Sequence, residues 1–437
     1  MSAAVRPEAL DTPGGDHDRE GLRRFAGQDG LHRLAPMPHR YGIVSPPAIG
    51  HLNPMMALAL ELQRRGHAVV VFTVADGARK VEGLPVEVVR IGASAFPTGS
   101  VEEAYATLGR LSGGEGLRFS VAYFRREQAM LFADLPEAVA GAAIDVLLVD
   151  QLSPAAGTVA EKVGLPFITI CNALPVQREA AVPPYCTGWM PRRGLWARWR
   201  NQLGNALLNR LTAPLWRDLQ EQRQRWGLQP FRRREEALSP LLQLAQLPRA
   251  FDFARERLAP QFRYVGRLAD RSGRDPLLRD AVPFPWERLD GRPLIYASLG
   301  TLQNGRPTVF EQIAAACAPL EAQLVITMGN PTSEPLDLPG GPLVVAYAPQ
   351  QELIERATLV ISHAGLNTTL TTLGCGVPVL AIPITNDQPG IAARLAACGA
   401  GRVLPLRRLA VEPLREMVVE MLMNPSYREQ AQRMRAE

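Results

Sequence analysis

From Tyr41 onward the chain alternates short apolar runs with longer stretches whose apolar residues recur at helical spacing, the pattern left by strand, crossover helix and parallel strand. The run 41–45 predicts a first strand. Residues 52–65 predict a helix that stops at Gly66, because glycine takes the left-handed backbone that ends a helix at least cost. Further β-rich runs at 68–74, 86–91, 145–150 and 167–171 are separated by helical segments such as 117–142. Residues 189–234 break the alternation with helical sequence rich in Trp and Arg and read as an insertion, after which 241–253 returns to sheet-like character. A Gly, Pro and charge-rich stretch at 267–292 has no period and predicts a linker. A second series follows, with strands at 294–298, 323–327, 343–346, 359–362 and 377–382. The pattern predicts an α/β protein of two doubly wound Rossmann-like domains, 41–266 and 293–437, facing each other across a cleft. Residues 1–40 show no apolar period and are expected to be a disordered extension, with Met37 as the expected true start.

With 437 residues, 46% hydrophobic and 21% charged, there is enough apolar sequence for the cores of two or three domains. The net charge of +5 rests on arginine, since Lys80 and Lys162 are the only lysines. That bias fits a GC-rich genome better than a function, and no nucleic-acid partner is expected. Cys171, Cys186, Cys317, Cys375 and Cys398 are odd in number and widely spaced in apolar surroundings, so neither a disulfide framework nor a zinc site is expected. A cytoplasmic location follows. The apolar stretch 129–149 is interrupted by Asp134, Glu137 and Asp145, which are costly in hydrocarbon, so no membrane span is expected. The only Asp-x-Asp pair, Asp16 and Asp18, lies in the extension, and no metal is assigned to it.

Three strand-to-helix turns carry candidate chemistry. His51 follows the first strand in a turn made of Pro46, Pro47, Gly50, Asn53 and Pro54, and Asp150 ends the 145–150 strand. Both fall at the carboxyl edge of the sheet, where ligands bind doubly wound folds. An imidazole with a pKa near ~6.5 takes a proton from an alcohol when a carboxylate fixes its other nitrogen; alternatively His51 caps one helix and Asp150 starts another. Ser362, His363, Ala364, Gly365, Leu366, Asn367, Thr368 and Thr369 form the second turn, whose unpaired helical N–H groups suit a diphosphate or an ordinary cap. Ser298, Leu299, Gly300 and Thr301 end a further strand with backbone open to a phosphate. In the third turn Asp387 and Gln388 offer the acceptors and donors that sugar hydroxyls need, or Asp387 is an N-cap.

Taken together, Gly50-His51, Asp150, Tyr347-Ala348-Pro349-Gln350, Ser362 to Thr369 and Asp387-Gln388 resemble, in order and spacing, the nucleotide-sugar-dependent family 1 glycosyltransferases of the B-type fold. Segments 149–179 and 363–393 also resemble bacterial zeaxanthin glucosyltransferases. The resemblance implies that the first domain binds an acceptor and the second a nucleotide sugar. His51 would be the general base and Asp150 its orienting carboxylate, in a displacement that inverts the anomeric carbon. Tyr347 would stack on the base in the place of a frequent Trp, with Ala348 beside it, and Gln350 would contact the ribose. Gly300, Thr301, His363, Gly365, Asn367 and Thr368 would hold the diphosphate without a metal or other cofactor. Asp387 and Gln388 would read the sugar, Gln being associated with glucose, so UDP-glucose is the expected donor.

Two departures from the family pattern stand out. Its ribose-gripping acid is replaced by Thr371, which loosens the choice between uridine and thymidine nucleotides, and the helix that usually returns to the first domain is expected to be missing or incomplete at Glu437. A hydroxylated carotenoid is the leading acceptor; a phenol, a polyketide or a sugar lipid is the alternative. A nucleotide-sugar epimerase and a non-catalytic lipid-binding protein are the readings from other classes. Finally, Trp189, Trp196, Trp199, Trp216 and Trp226 share the 189–234 insertion with eleven arginines, a composition that suits peripheral docking on a membrane.

Overall fold

The computed structural model describes residues 38–111, 113–270, 276–277, 283–302, 305–329 and 336–437. The expected disorder before residue 38, Met37 and the Asp16–Asp18 pair lie outside the described residues, as do parts of the 267–292 stretch.

Two parallel sheets carry the fold. The first takes β1 (Arg40–Val44), β2 (Ala68–Thr73), β3 (Glu87–Arg90), β4 (Val146–Asp150), β5 (Phe167–Cys171), β6 (Gln243–Ala245) and β7 (Phe262–Tyr264), ordered β3-β2-β1-β4-β5-β6-β7. The second takes β8 (Leu294–Ser298), β9 (Gln323–Thr327), β10 (Leu343–Val345), β11 (Ala357–Ser362), β12 (Val379–Ala381) and β13 (Gly401–Val403), ordered β10-β9-β8-β11-β12-β13. The central strands are continuous Val, Leu and Ile runs because both faces of a parallel sheet are covered by helices. In each sheet the strand order reverses beside the first strand, between β1 and β4 and between β8 and β11. There the two flanking chains leave in opposite directions and open a crevice.

The first sheet is covered by α1 (Ile49–Arg64), α2 (Ala75–Lys80), α3 (Ser100–Arg110), α4 (Gly113–Gly141) and α5 (Pro154–Val163). The 189–234 segment folds into α6 (Leu195–Leu211) and α7 (Ala213–Arg225). α7 is fixed to α4 by Arg125 on Asp218 at 2.6 Å and by the Gln128 amide on the Leu215 carbonyl. The second lobe adds α8 (Pro307–Cys317), α9 (Gln350–Arg356), α10 (Leu366–Gly374), α11 (Gln388–Ala397), α12 (Val411–Met423) and α13 (Ser426–Ala436). α13 packs on α10 and reaches the carbonyls of Ala357 and Thr358 through Arg428.

Most predicted strands lie within two residues of their observed bounds. The sheet-like reading of 241–253 is corrected: only Gln243–Ala245 pairs, and a 3-10 turn follows at Arg249–Phe251. Each edge also adds a three-residue strand that the pattern did not reveal, β7 and β13, too short to show periodicity. One apolar cluster belongs to neither lobe alone: Leu174, Leu247 and Phe251 pack with Leu366, Ile391 and Leu395, so the two lobes share a core.

Candidate functional site

The first switch point holds His51 and Asp150. β1 ends at Val44, the Pro46-Pro47 turn follows, and α1 begins at Ile49, placing His51 in the helix's first turn over the end of β4. Its Nδ1 lies 2.7 Å from Asp150 Oδ2, with the carboxylate buried and the imidazole 19% exposed. Asp150 Oδ2 also accepts from Ser45 Oγ (3.3 Å) and Asn172 Nδ2 (2.7 Å), and Oδ1 from the Leu152 N–H (2.9 Å). Burial opposes ionisation of Asp150, but the His51 charge and these donors outweigh it and hold the pKa below the usual carboxylate value. The same pair raises His51 above its ordinary value although burial pulls the other way. With Nδ1 committed to Asp150, Nε2 is the nitrogen left to accept a proton.

Beside the dyad lies a carboxyl that sequence reading missed. Glu127 on α4 is buried, accepts from Ser153 Oγ at 3.3 Å, and is pushed up to about 8 by burial and then by the Asp150 charge. It lines a small, water-sized pocket with Ser45, Thr73 and Tyr123, among apolar walls that include Val44, Phe72, Phe96 and Met130. A glutamate within a 29-residue helix has no local signature; only the packing of α4 over β4 brings it to the dyad.

The second switch point holds Gly300 and His363. His363 follows β11, and its ring is clamped between two glycines. A Cβ on Gly300 would stand 2.6 Å from His363 Cε1, and one on Gly365 2.6 Å from Nε2. Gly300 has φ +70°, and Ala364 is left-handed at φ +64°. Burial lowers the His363 pKa to about 4, so the ring is neutral, and its buried Nδ1 has no protein partner. Gly365 starts α10 with no side-chain cap, leaving first-turn N–H groups available to an anion. Thr301 follows Gly300 and is partly buried, as is Gln350 at the start of α9; Tyr347 and the fully buried Ala348 lead into that helix. Thr368 is buried in the first turn of α10, and Thr371 bonds back to the Asn367 carbonyl at 2.8 Å.

Asn367 reaches across to the first lobe. Its Nδ2 donates to the Gly50 carbonyl (2.8 Å) and its Oδ1 accepts from Gln246 Nε2 (2.9 Å), so the side chain is engaged by the first lobe. The reason lies in α1: Pro54 has no N–H to return to Gly50, four residues earlier, and leaves that carbonyl for Asn367. Gln246 also donates to the Asn172 carbonyl (2.8 Å), completing a polar chain from Asp150 through Asn172, Gln246 and Asn367 to the residue before His51. Asp387 stands at the N-cap position of α11 without a side-chain bond to the helix, and its Oδ2 instead accepts from the Leu174 N–H of the first lobe at 3.2 Å. Burial raises its pKa, while nearby His51 pulls it down. Gln388 Oε1 accepts from the N–H groups of Ile384 and Thr385 (2.8 and 2.9 Å), which fixes the orientation of its amide. Among the described residues no three His, Cys, Asp or Glu side chains form a metal-ligand cluster.

Two doubly wound lobes meeting at their switch points, with an imidazole–carboxylate pair on one side and an open helix N-terminus on the other, define the glycosyltransferase class of B-type fold. Residues 311–437 match the C-terminal domain family described as erythromycin biosynthesis protein CIII-like. The chain is 37% identical over 369 residues to a zeaxanthin glucosyltransferase of Pseudescherichia vulneris, covering 83% of this chain and 85% of that protein. It is 31% identical to the enzyme of that name from Pantoea ananas, over 83% and 84% of the two chains. The solved glycotransferase of kitacinnamycin superposes with a TM-score of 0.70 at 22% identity, covering 92% of this chain and 95% of that one. The chain belongs to the UDP-glycosyltransferase family and is a glycosyltransferase.

Proposed function

We propose that this enzyme moves glucose from UDP-glucose onto a hydroxyl of a lipophilic alcohol such as a hydroxylated carotenoid, with inversion and without a metal. The observation that carries the chemistry is the 2.7 Å His51–Asp150 contact at the first switch point, facing the second lobe's open helix. His51 Nε2 takes the hydroxyl proton as the acceptor oxygen bonds to the anomeric carbon. The bond from that carbon to the diphosphate breaks, and the leaving group keeps the electron pair. Neutral His363, Gly300, Thr301 and the α10 N–H groups hold the departing charge. Tyr347, Ala348 and Gln350 bind the nucleoside, and Asp387 with Gln388 reads the sugar. Asn367, being tied to Gly50, acts here by joining the lobes. The two zeaxanthin glucosyltransferase relatives support an apolar acceptor, and the Trp- and Arg-rich insertion supports work at a membrane surface.

The test incubates the protein with UDP- and TDP-sugars and a panel of carotenoid, phenolic and polyketide alcohols, in chelator, with products identified by mass and anomeric configuration by NMR. A β-glucoside of a carotenoid is expected, with His51→Ala slower by about a hundredfold or more. A product on another acceptor class reassigns the substrate, and donor conversion without acceptor identifies an epimerase. Retained configuration or a strict need for Mg²⁺ overturns the mechanism.

A further inference from the structure

We propose that α6 is an interfacial helix that seats this enzyme on the anionic surface of a lipid bilayer. The helix turns a continuous apolar face to solvent. Leu195, Trp199, Leu203, Leu207 and Leu211 recur every fourth residue, each between 46% and 86% exposed, and Trp196 beside them is 72% exposed. Among the exposed residues of α6 Gln202 and Arg210 are the polar ones, and Arg200, on the same face, lies half-buried over the Trp189 ring. The opposite face is anchored: Ala197, Asn201 and Leu208 are buried, and Asn201 Nδ2 donates to the Ala180 carbonyl at 2.9 Å. Gly204 lets the chain approach so closely that a Cβ there would stand 2.9 Å from both Pro184 and Trp189. The apolar face is therefore held outward by a rigid base.

Charge identifies the occupant. Between residues 189 and 211 the chain carries five arginines and no acidic residue; Arg198 is paired with Glu256, and Arg192, Arg193, Arg200 and Arg210 make up the rest of the basic rim. Arg192 and Arg193 are exposed just before the helix. A second copy docking by two-fold symmetry would bring this like-charged rim against itself, whereas anionic headgroups complement it and Trp rings favour the headgroup boundary. The expected contribution of all five tryptophans is corrected here: Trp216 stacks on Phe231, Trp226 packs on Phe132 and Trp189 is packed between Gly204 and the Arg200 guanidinium, so Trp196 and Trp199 are the two carried outward on α6. The loop supporting α6 leaves β5 at Asn172, the partner of Asp150, and contacts Asp387 through Leu174. The docking helix and the site thus share a rim, which deepens the reading of a lipophilic acceptor by giving it a route from the bilayer.

The full chain, without donor or acceptor, is sedimented with vesicles of equal phosphatidylglycerol and phosphatidylcholine and with pure phosphatidylcholine. Binding to the anionic vesicles, weakening with salt and accompanied by a blue shift of Trp emission, is expected. The W196Q/W199Q/L203Q/L207Q variant should bind at least tenfold more weakly while keeping its circular dichroism and melting temperature. Should that variant misfold, R192E/R193E must weaken binding in its place. No binding by the wild type at low salt overturns the proposal, as do wild-type affinity in folded variants and a lipid-free dimer that the apolar variant converts to monomer. No sugar transfer is measured, so failure here leaves the glucosyltransferase reading standing, and the reverse.

Discussion

In the proposed reaction His51 is a base only while its imidazole is neutral, and its environment sets when that holds. Burial disfavours the imidazolium, but the Asp150 carboxylate at 2.7 Å prevails and raises the pKa above 6.5. The acid limb of kcat/KM should therefore have its midpoint above 6.5, and Asp150→Asn should lower that midpoint as well as the rate; an unmoved midpoint would separate the dyad from the chemistry. Glu127 is shifted in the opposite direction to Asp150. Its folded value of about 8 lies above the usual 4.5, so the fold favours the protonated acid. The stability this contributes is complete below about 4.5 and is lost as pH rises through about 8. Glu127→Gln keeps the neutral shape at every pH. Its melting temperature relative to wild type should rise between pH 5 and pH 9, and parallel curves would show that Glu127 is ionised throughout.

At the scale of elements, the proposed donor side rests on two turns that touch. Gly300 ends β8 in the left-handed region and lies against the His363 ring that follows β11. Gly300→Ala strains that turn by about 1–3 kcal/mol and drives a methyl group into the imidazole. UDP binding measured by calorimetry should weaken about tenfold or more, while the acid limb set by His51 stays in place. Unchanged affinity would remove the β8 turn from the donor site. The strand-to-helix turns were legible because Gly and small polar residues interrupt apolar runs at 298–301 and 362–369. That the two turns adjoin was not, because β8 and β11 are far apart in sequence and are neighbours only through sheet order.

The whole molecule is joined by more than a linker. Asp252 of the first lobe accepts from Arg255 Nε (2.6 Å), the Tyr264 hydroxyl (2.8 Å) and Arg394 Nε of α11 (2.8 Å), with Asp252, Arg255 and Arg394 nearly fully buried. Removing one member of a buried ionic cluster leaves the others uncompensated. Arg394→Met should thus lower unfolding stability by about 3–5 kcal/mol, whereas D252N/R394M should cost less than the sum of its single variants. Denaturant titration decides it; a loss below about 1 kcal/mol would mean that the Asp252 cluster adds little to joining the lobes.

Local chemistry was written in the sequence: the period of strands and helices, the turns bearing His51, His363 and Asp387, and the Trp and Arg bias of 189–234. Those features depend on neighbours a few residues away, which backbone geometry brings together in any fold of this pattern. Tertiary structure decided what depends on distant pairs. It set Glu127 beside the dyad, spent Asn367 on the carbonyl that Pro54 leaves open, buried Asp252 against Arg394, and sorted the tryptophans of the insertion into outward and inward. Each of these follows from strand order and helix packing, because a buried polar group takes whichever partner the packed interior provides, at any separation along the chain.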